Sequence, residues 1–115
     1  MQINIQTKNF TLLEIKGRVV GQDALILKTM VEEHIQQLEA QGGAPTLIFN
    51  MAGAETMDSA GLGVLITTST QIRQSGGRTS LVNVNRSIRR MIIRTNLGSL
   101  FEFPKDLAEA IASSF

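Results

Sequence analysis

The sequence predicts an α/β protein: a mixed, mostly parallel sheet of about five strands flanked by about four helices. Three observations lead there. Short apolar runs alternate with segments of helical period along most of the chain, which implies parallel strands joined by helical crossovers. The first two runs follow each other without a helix between them, so they open the fold as an antiparallel pair. Glycine pairs and proline punctuate the alternation at Gly42-Gly43-Ala44-Pro45 and Ser75-Gly76-Gly77.

The elements follow in order. Ile3 and Ile5 alternate with Asn4 and Gln6, a strand signal. Asn9-Phe10 turns the chain, Thr11 to Lys16 forms the second strand, and Gly17 and Gly21 bracket a loop. From Gln22 to Gln41 the apolar residues Ala24, Leu27, Val31, Ile35 and Leu38 recur at helical spacing. Gly42-Gly43 ends that helix and Pro45 prevents its continuing. Thr46 to Met51 is a buried central strand, and a loop from Met51 to Asp58 follows it. A second helix opens at Asp58-Ser59 and buries Leu62, Leu65, Ile66, Ser69 and Ile72. Thr79 to Val84 is a strand, and Arg86 to Arg94 a helix burying Ile88, Met91 and Ile92. Asn96 suits the left-handed position after that helix. Leu100 to Phe103 is a last strand, and Pro104 starts a final helix from Lys105 to Ala112.

Composition bounds the chemistry. With 115 residues, the chain is expected to form a single domain over residues 1–115. A net charge of +1 supplies no global field toward nucleic acid or membrane, and neither is an expected partner. There is no cysteine, which excludes disulfides, thiol chemistry and a cysteine-based zinc site. His34 is the only histidine, and it reads as a boundary residue of the first helix. The N-terminal stretch is alternating and polar, unlike a signal peptide, and no apolar run reaches the roughly 20 residues of a bilayer span. The cytoplasm is the expected location.

The stretch Thr56-Met57-Asp58-Ser59-Ala60-Gly61-Leu62-Gly63-Val64-Leu65 falls at the carboxyl end of a strand, where ligands and partners of such sheets meet the loops. It allows four readings. It can be a helix start capped by Asp58 or Ser59, with Gly61 and Gly63 permitting close packing. It can be a phosphate cradle, but Ile66 occupies the third glycine position of a dinucleotide fingerprint and no Gly-Lys-Ser/Thr end is present. It can be a serine nucleophile, but the elbow motif needs glycine where Met57 stands. It can be a modification site. A phosphate on Ser59 adds about −1.5 to −2 charges. A partner carboxylate about 6 Å away, at an effective dielectric near 40, would then be repelled by about 2–3 kcal/mol, or roughly 30- to 150-fold in affinity. The cap and the modification are compatible, with Ser59 capping the helix in one state and carrying phosphate in the other.

The segment Met57 to Leu65, with the strand before it, resembles the signature of the anti-sigma factor antagonists, small STAS-domain proteins of bacterial partner-switching systems. The segments "QIRQSGG" and "LVNVNRSIRRMI" and the Thr95-Asn96-Leu97 corner resemble family segments in the same order. The resemblance implies a STAS-like mixed sheet with no catalysis and no cofactor. It implies binding to a serine-kinase anti-sigma factor of the histidine-kinase-like ATPase fold, which frees the sigma factor. Phosphorylation at the position of Ser59 would break the complex, and a metal-dependent serine phosphatase would restore it. The docking surface so implied comprises Met57, Asp58, Ser59, Ala60, Gly61, Leu62 and Gly63, with the Met51–Met57 loop beside it and Met57 offering apolar contact. Asp58 would orient Ser59 and add charge. Many relatives carry Gly-Glu-Leu/Ile-Asp after the second strand; here Gly17-Arg18-Val19-Val20 stands there, with Asp23 three residues on. That departure leaves room for an alternative role, a STAS regulatory or scaffold subunit of a signalling, secretion or transporter-associated complex. Arg86, Arg89, Arg90 and Arg94 share one face of the third helix and read as a solvated surface.

Overall fold

The computed structural model describes residues 1–42 and 44–114. Gly43, half of the glycine pair expected to end the first helix, lies outside the described residues. The elements are β1 (Gln2–Thr7), β2 (Thr11–Val19), α1 (Gln22–Ala40), β3 (Thr46–Met57), α2 (Ser59–Gln74), β4 (Arg78–Val82), α3 (Arg86–Arg94) and α4 (Leu107–Ala112). A 3-10 turn covers Gly98–Leu100. The sheet order is β1-β2-β3-β4; β1 is antiparallel to β2, and the other pairs are parallel.

Alternation along the strands sets the two faces. Leu13, Ile15, Phe49, Met51 and Leu81 point to the face covered by α1, α2 and α3, where Leu27, Val31, Ile35, Leu65, Ile72, Ile88 and Ile92 complete the main core. Leu12, Ile48 and Val82 point the other way, and Ala110, Leu107 and Ile111 of α4 cover them. The four arginines of α3 are all exposed, as their spacing implies, and the Arg89 guanidinium lies 5.0 Å from the Phe103 ring centroid. Asn96 takes the left-handed conformation, with φ 58°.

Five boundaries differ from expectation. The Met51–Met57 loop does not exist: β3 runs through it. β2 also continues, past Gly17 to Val19, and supplies the ladder, with Lys16 opposite Gly53, Gly17 opposite Ala54 and Val19 opposite Met57. Two register shifts, at Glu14/Lys16 and Gly17/Arg18, keep the extended strands in step. β4 stops at Val82 because Asn83 turns to φ 59°. The fifth strand is reduced to one bridge, between Ser80 and Glu102. The 3-10 turn precedes it and Pro104, without an N–H, follows it, which leaves no length for a ladder. Finally, α4 starts at Leu107, not Lys105. Asp106 is its N-cap, accepting the Glu109 N–H at 2.8 Å, so Pro104 stays outside the helix.

Candidate functional site

The site is built where β2 and β3 end together. Val19 and Met57 are the last paired residues of the two strands. Beyond them the chains part, Val20-Gly21 into α1 and Asp58 into α2. The Asp58 N–H donates to the Val19 carbonyl at 3.2 Å. One carboxylate oxygen of Asp58 accepts the Gly61 N–H at 3.0 Å, and the other accepts the Gly21 N–H at 2.9 Å. A single carboxylate thus caps α2 and clasps the residue that begins α1. Gly21 presents its N–H from φ 58°, ψ −124°, a conformation that glycine adopts without strain.

These bonds favour the ionised form. The Gly21 N–H first, then the Gly61 N–H, hold the Asp58 carboxyl below the ordinary aspartate value of 3.8. The stability so contributed is fully present above that value and is lost as pH falls through the lower, folded one. Asp58→Asn is therefore expected to be less stable than the wild type at neutral pH. The gap should close only well below pH 3.8, when both are followed by denaturant unfolding across acid pH. A gap that closes between pH 5 and pH 7 would refute this assignment of the carboxylate.

Asp58, not Ser59, is the N-cap, which corrects the expectation that Ser59 caps the helix in one state. Both residue types cap well in isolation. A donor from outside the helix decides, since it is the position 58 side chain that receives the Gly21 N–H. Ser59 is the first helical residue; it is exposed, and its hydroxyl makes no hydrogen bond among the described residues.

The expected docking residues divide by burial. Asp58 is half-buried, Ser59 and Ala60 are exposed, and Gly63 is half-buried. Met57, Gly61 and Leu62 are buried, so Met57 packs in the main core and offers no apolar surface. The two glycines differ in the same way. A Cβ on Gly61 would lie 2.8 Å from the Val19 carbonyl oxygen and 2.8 Å from Met57 Cγ, whereas a Cβ on Gly63 would meet nothing within 4 Å. Gly61 serves internal packing as expected, and Gly63 does not.

Gly63 instead lines a shallow groove of about 220 Å³ between α1 and α2, with Lys28 and Glu32 on one wall and Ala60, Val64 and Thr67 on the other. Sequence reasoning missed this α1 wall and the part played by Gly21. Neither carries a local motif; both are brought to the site by tertiary packing. Val20, where the family resemblance implies an acid, is half-buried beside Gly21, and Asp23 lies in the first turn of α1. Among the described residues no group of three or more His, Cys, Asp or Glu side chains could hold a metal ion, and no helix is long and apolar enough to cross a membrane.

The fold is a mixed four-stranded α/β sheet whose second helix opens on Asp58-Ser59-Ala60-Gly61 at the carboxyl end of its third strand. The STAS domain pattern matches residues 3–110, and the chain belongs to that family. An anti-sigma F factor antagonist of Lysinibacillus sphaericus is 33% identical over 58 residues, a match spanning 50% of this chain and 50% of that protein. The structure of the anti-sigma factor antagonist SpoIIAA in its unphosphorylated form superposes with a TM-score of 0.77 at 23% identity, covering 97% of this chain and 93% of that one. An anti-sigma factor antagonist from Mycobacterium paratuberculosis gives a TM-score of 0.81 at 18% identity, covering 98% and 92%. At these identities the structural likenesses establish the fold.

Proposed function

We propose that this chain is an anti-sigma factor antagonist: a non-enzymatic cytoplasmic protein that binds a serine-kinase anti-sigma factor and is released when Ser59 is phosphorylated. The observation that carries the reading is the placement of Ser59. The residue is exposed on the first turn of α2, its hydroxyl unbonded among the described residues, directly after a carboxylate whose hydrogen bonds favour its ionised form. A kinase can reach that hydroxyl without unfolding anything. The phosphate arrives beside a fixed negative charge and near the positive end of a helix dipole, so the domain tolerates it. The surface offered to the partner is Asp58, Ser59, Ala60 and Gly63, extended by the Lys28 and Glu32 wall of α1. A serine phosphatase resets the state.

The test is incubation with ATP and each candidate kinase from the same genome, followed by mapping of phosphate by mass spectrometry. Phosphate on Ser59 supports the reading, and its absence with every such kinase would sink it. Val20 in place of an acid favours one second reading, a STAS regulatory subunit that docks through the same surface without a sigma factor. A pull-down with Ser59→Ala that captures no kinase would select that reading.

A further inference from the structure

The outer edge of β1 carries information that the serine site does not use. Among the described residues β1 pairs only with β2, so its other edge has no strand partner. Gln2, Asn4 and Gln6 are exposed on one face, while Ile3 and Ile5 are half-buried on the other, over the main core. Sheet edges of soluble proteins are usually blunted by charge, proline, a bulge or a covering segment. The β1 stretch Gln2–Thr7 has neither charge nor proline, and its register with β2 is unbroken.

The stretch also reads the same in both directions: Gln2-Ile3-Asn4-Ile5-Gln6. Antiparallel pairing with a second copy about a two-fold axis at Asn4 sets Gln2 against Gln6, Ile3 against Ile5, and Asn4 against itself. Amide then meets amide on one face and isoleucine meets isoleucine on the other, with no charge opposed. A two-fold interface demands this self-complementarity, whereas a strand from an unrelated protein does not.

The neighbouring helix supports the same occupant. His34 Nε2 lies 2.7 Å from the Thr7 hydroxyl at the end of β1, which fixes the side of α1 that looks toward this edge. Met30 and Ile26 stand one and two turns earlier on that side. Ile26 is 51% exposed, a large apolar side chain with half of its surface uncovered. The dyad would bring the two copies of this stripe together above the joined strands, on the same face as the paired isoleucines.

We infer that β1 is a homodimerisation edge, joining two copies of this chain into one continuous eight-stranded sheet through antiparallel β1–β1 pairing centred on Asn4. Ser59 lies beyond β3, with β2 between that strand and the edge, so each copy keeps its serine accessible. This inference stands on the edge alone and does not depend on the partner of Ser59.

The test begins with sedimentation of the full chain from micromolar to near-millimolar concentration. The mass is expected to double from 12.5 kDa. Asn4→Lys sets two ammonium groups across the dyad and should hold the protein at the monomer mass. Within one copy that lysine faces Glu14 on β2, so the fold has a partner for it, and a melting curve matching the wild type's at a concentration dilute enough for both to be monomeric would verify this. Asn4→Glu should also be monomeric, and an equimolar mixture of the two variants should recover the doubled mass. A thiol at the dyad gives an independent readout, because the chain has no cysteine of its own. Asn4→Cys should cross-link readily on oxidation, since directly paired strand residues lie about 4.5–5.5 Å apart, within disulfide range. Gln6→Cys should not, because its copies are separated by about 13 Å along the strands. A wild type that stays monomeric throughout, a dimer that survives Asn4→Lys, or equal cross-linking of the two thiol variants would overturn the inference.

Discussion

Phosphorylation of Ser59 is expected to weaken kinase binding by roughly 30- to 150-fold while leaving the melting temperature of the free domain unchanged. The added charge of about −1.5 to −2 supplies the magnitude. A single charge gives less, so Ser59→Asp should lose only about tenfold on the same arithmetic. Ser59→Ala should bind like the unmodified protein and accept no phosphate there. The graded series is the informative part. A steric mechanism would make Ser59→Asp and the phosphoprotein differ by size, whereas an electrostatic one makes both losses shrink as salt is raised. Calorimetric titration of each form at low and high ionic strength separates the two. Equal affinities for the Ser59→Asp and Ser59→Ala variants at low salt would end the electrostatic account.

Gly61→Ala is the substitution expected to damage the domain most at this site. The new methyl would sit 2.8 Å from the Val19 carbonyl oxygen, a backbone atom already receiving the Asp58 N–H. Neither strand end can yield without disturbing the other, so overpacking of about 1–3 kcal/mol is expected. At this chain length that is a fall of about 4–12 °C in Tm. Gly63→Ala is the matched control in the same helix. Its methyl meets nothing, and replacing a mid-helix glycine should stabilise by about 0.5–1 kcal/mol. The same methyl protrudes into the α1–α2 groove, so this variant should be the more stable protein and the weaker binder. Thermal melts and binding isotherms on the two variants check both halves. A Gly63→Ala protein that binds normally would remove the groove from the docking surface.

Much of the fold is legible in the sequence because it is local. The helical stripe Ala24, Leu27, Val31, Ile35 places α1, and the apolar run Leu47 to Phe49 places the central strand. What is not legible depends on partners distant in sequence. Ala52-Gly53-Ala54-Glu55-Thr56 has no apolar pattern and, apart from Thr56, no strand former, and it is a strand because β2 lies alongside to Val19. The choice of cap between Asp58 and Ser59 was likewise settled by Gly21, 37 residues away along the chain. The burial of Met57 follows from the same strand extension, since the ladder fixes which way its side chain turns. The exposure of Ser59, by contrast, agrees with the motif reading.

The extension of β3 through Met57 has a kinetic consequence. Ser59 is mounted one residue beyond a paired strand end, so there is no loop whose freedom must be given up when a partner arrives. Encounter should proceed at a rate governed by diffusion and charge, with no slow ordering step. A modification acting at short range on a preformed surface then changes chiefly how long the complex lasts. Release on phosphorylation should appear as a shortened residence time, with the association rate nearly preserved once salt has screened the long-range field.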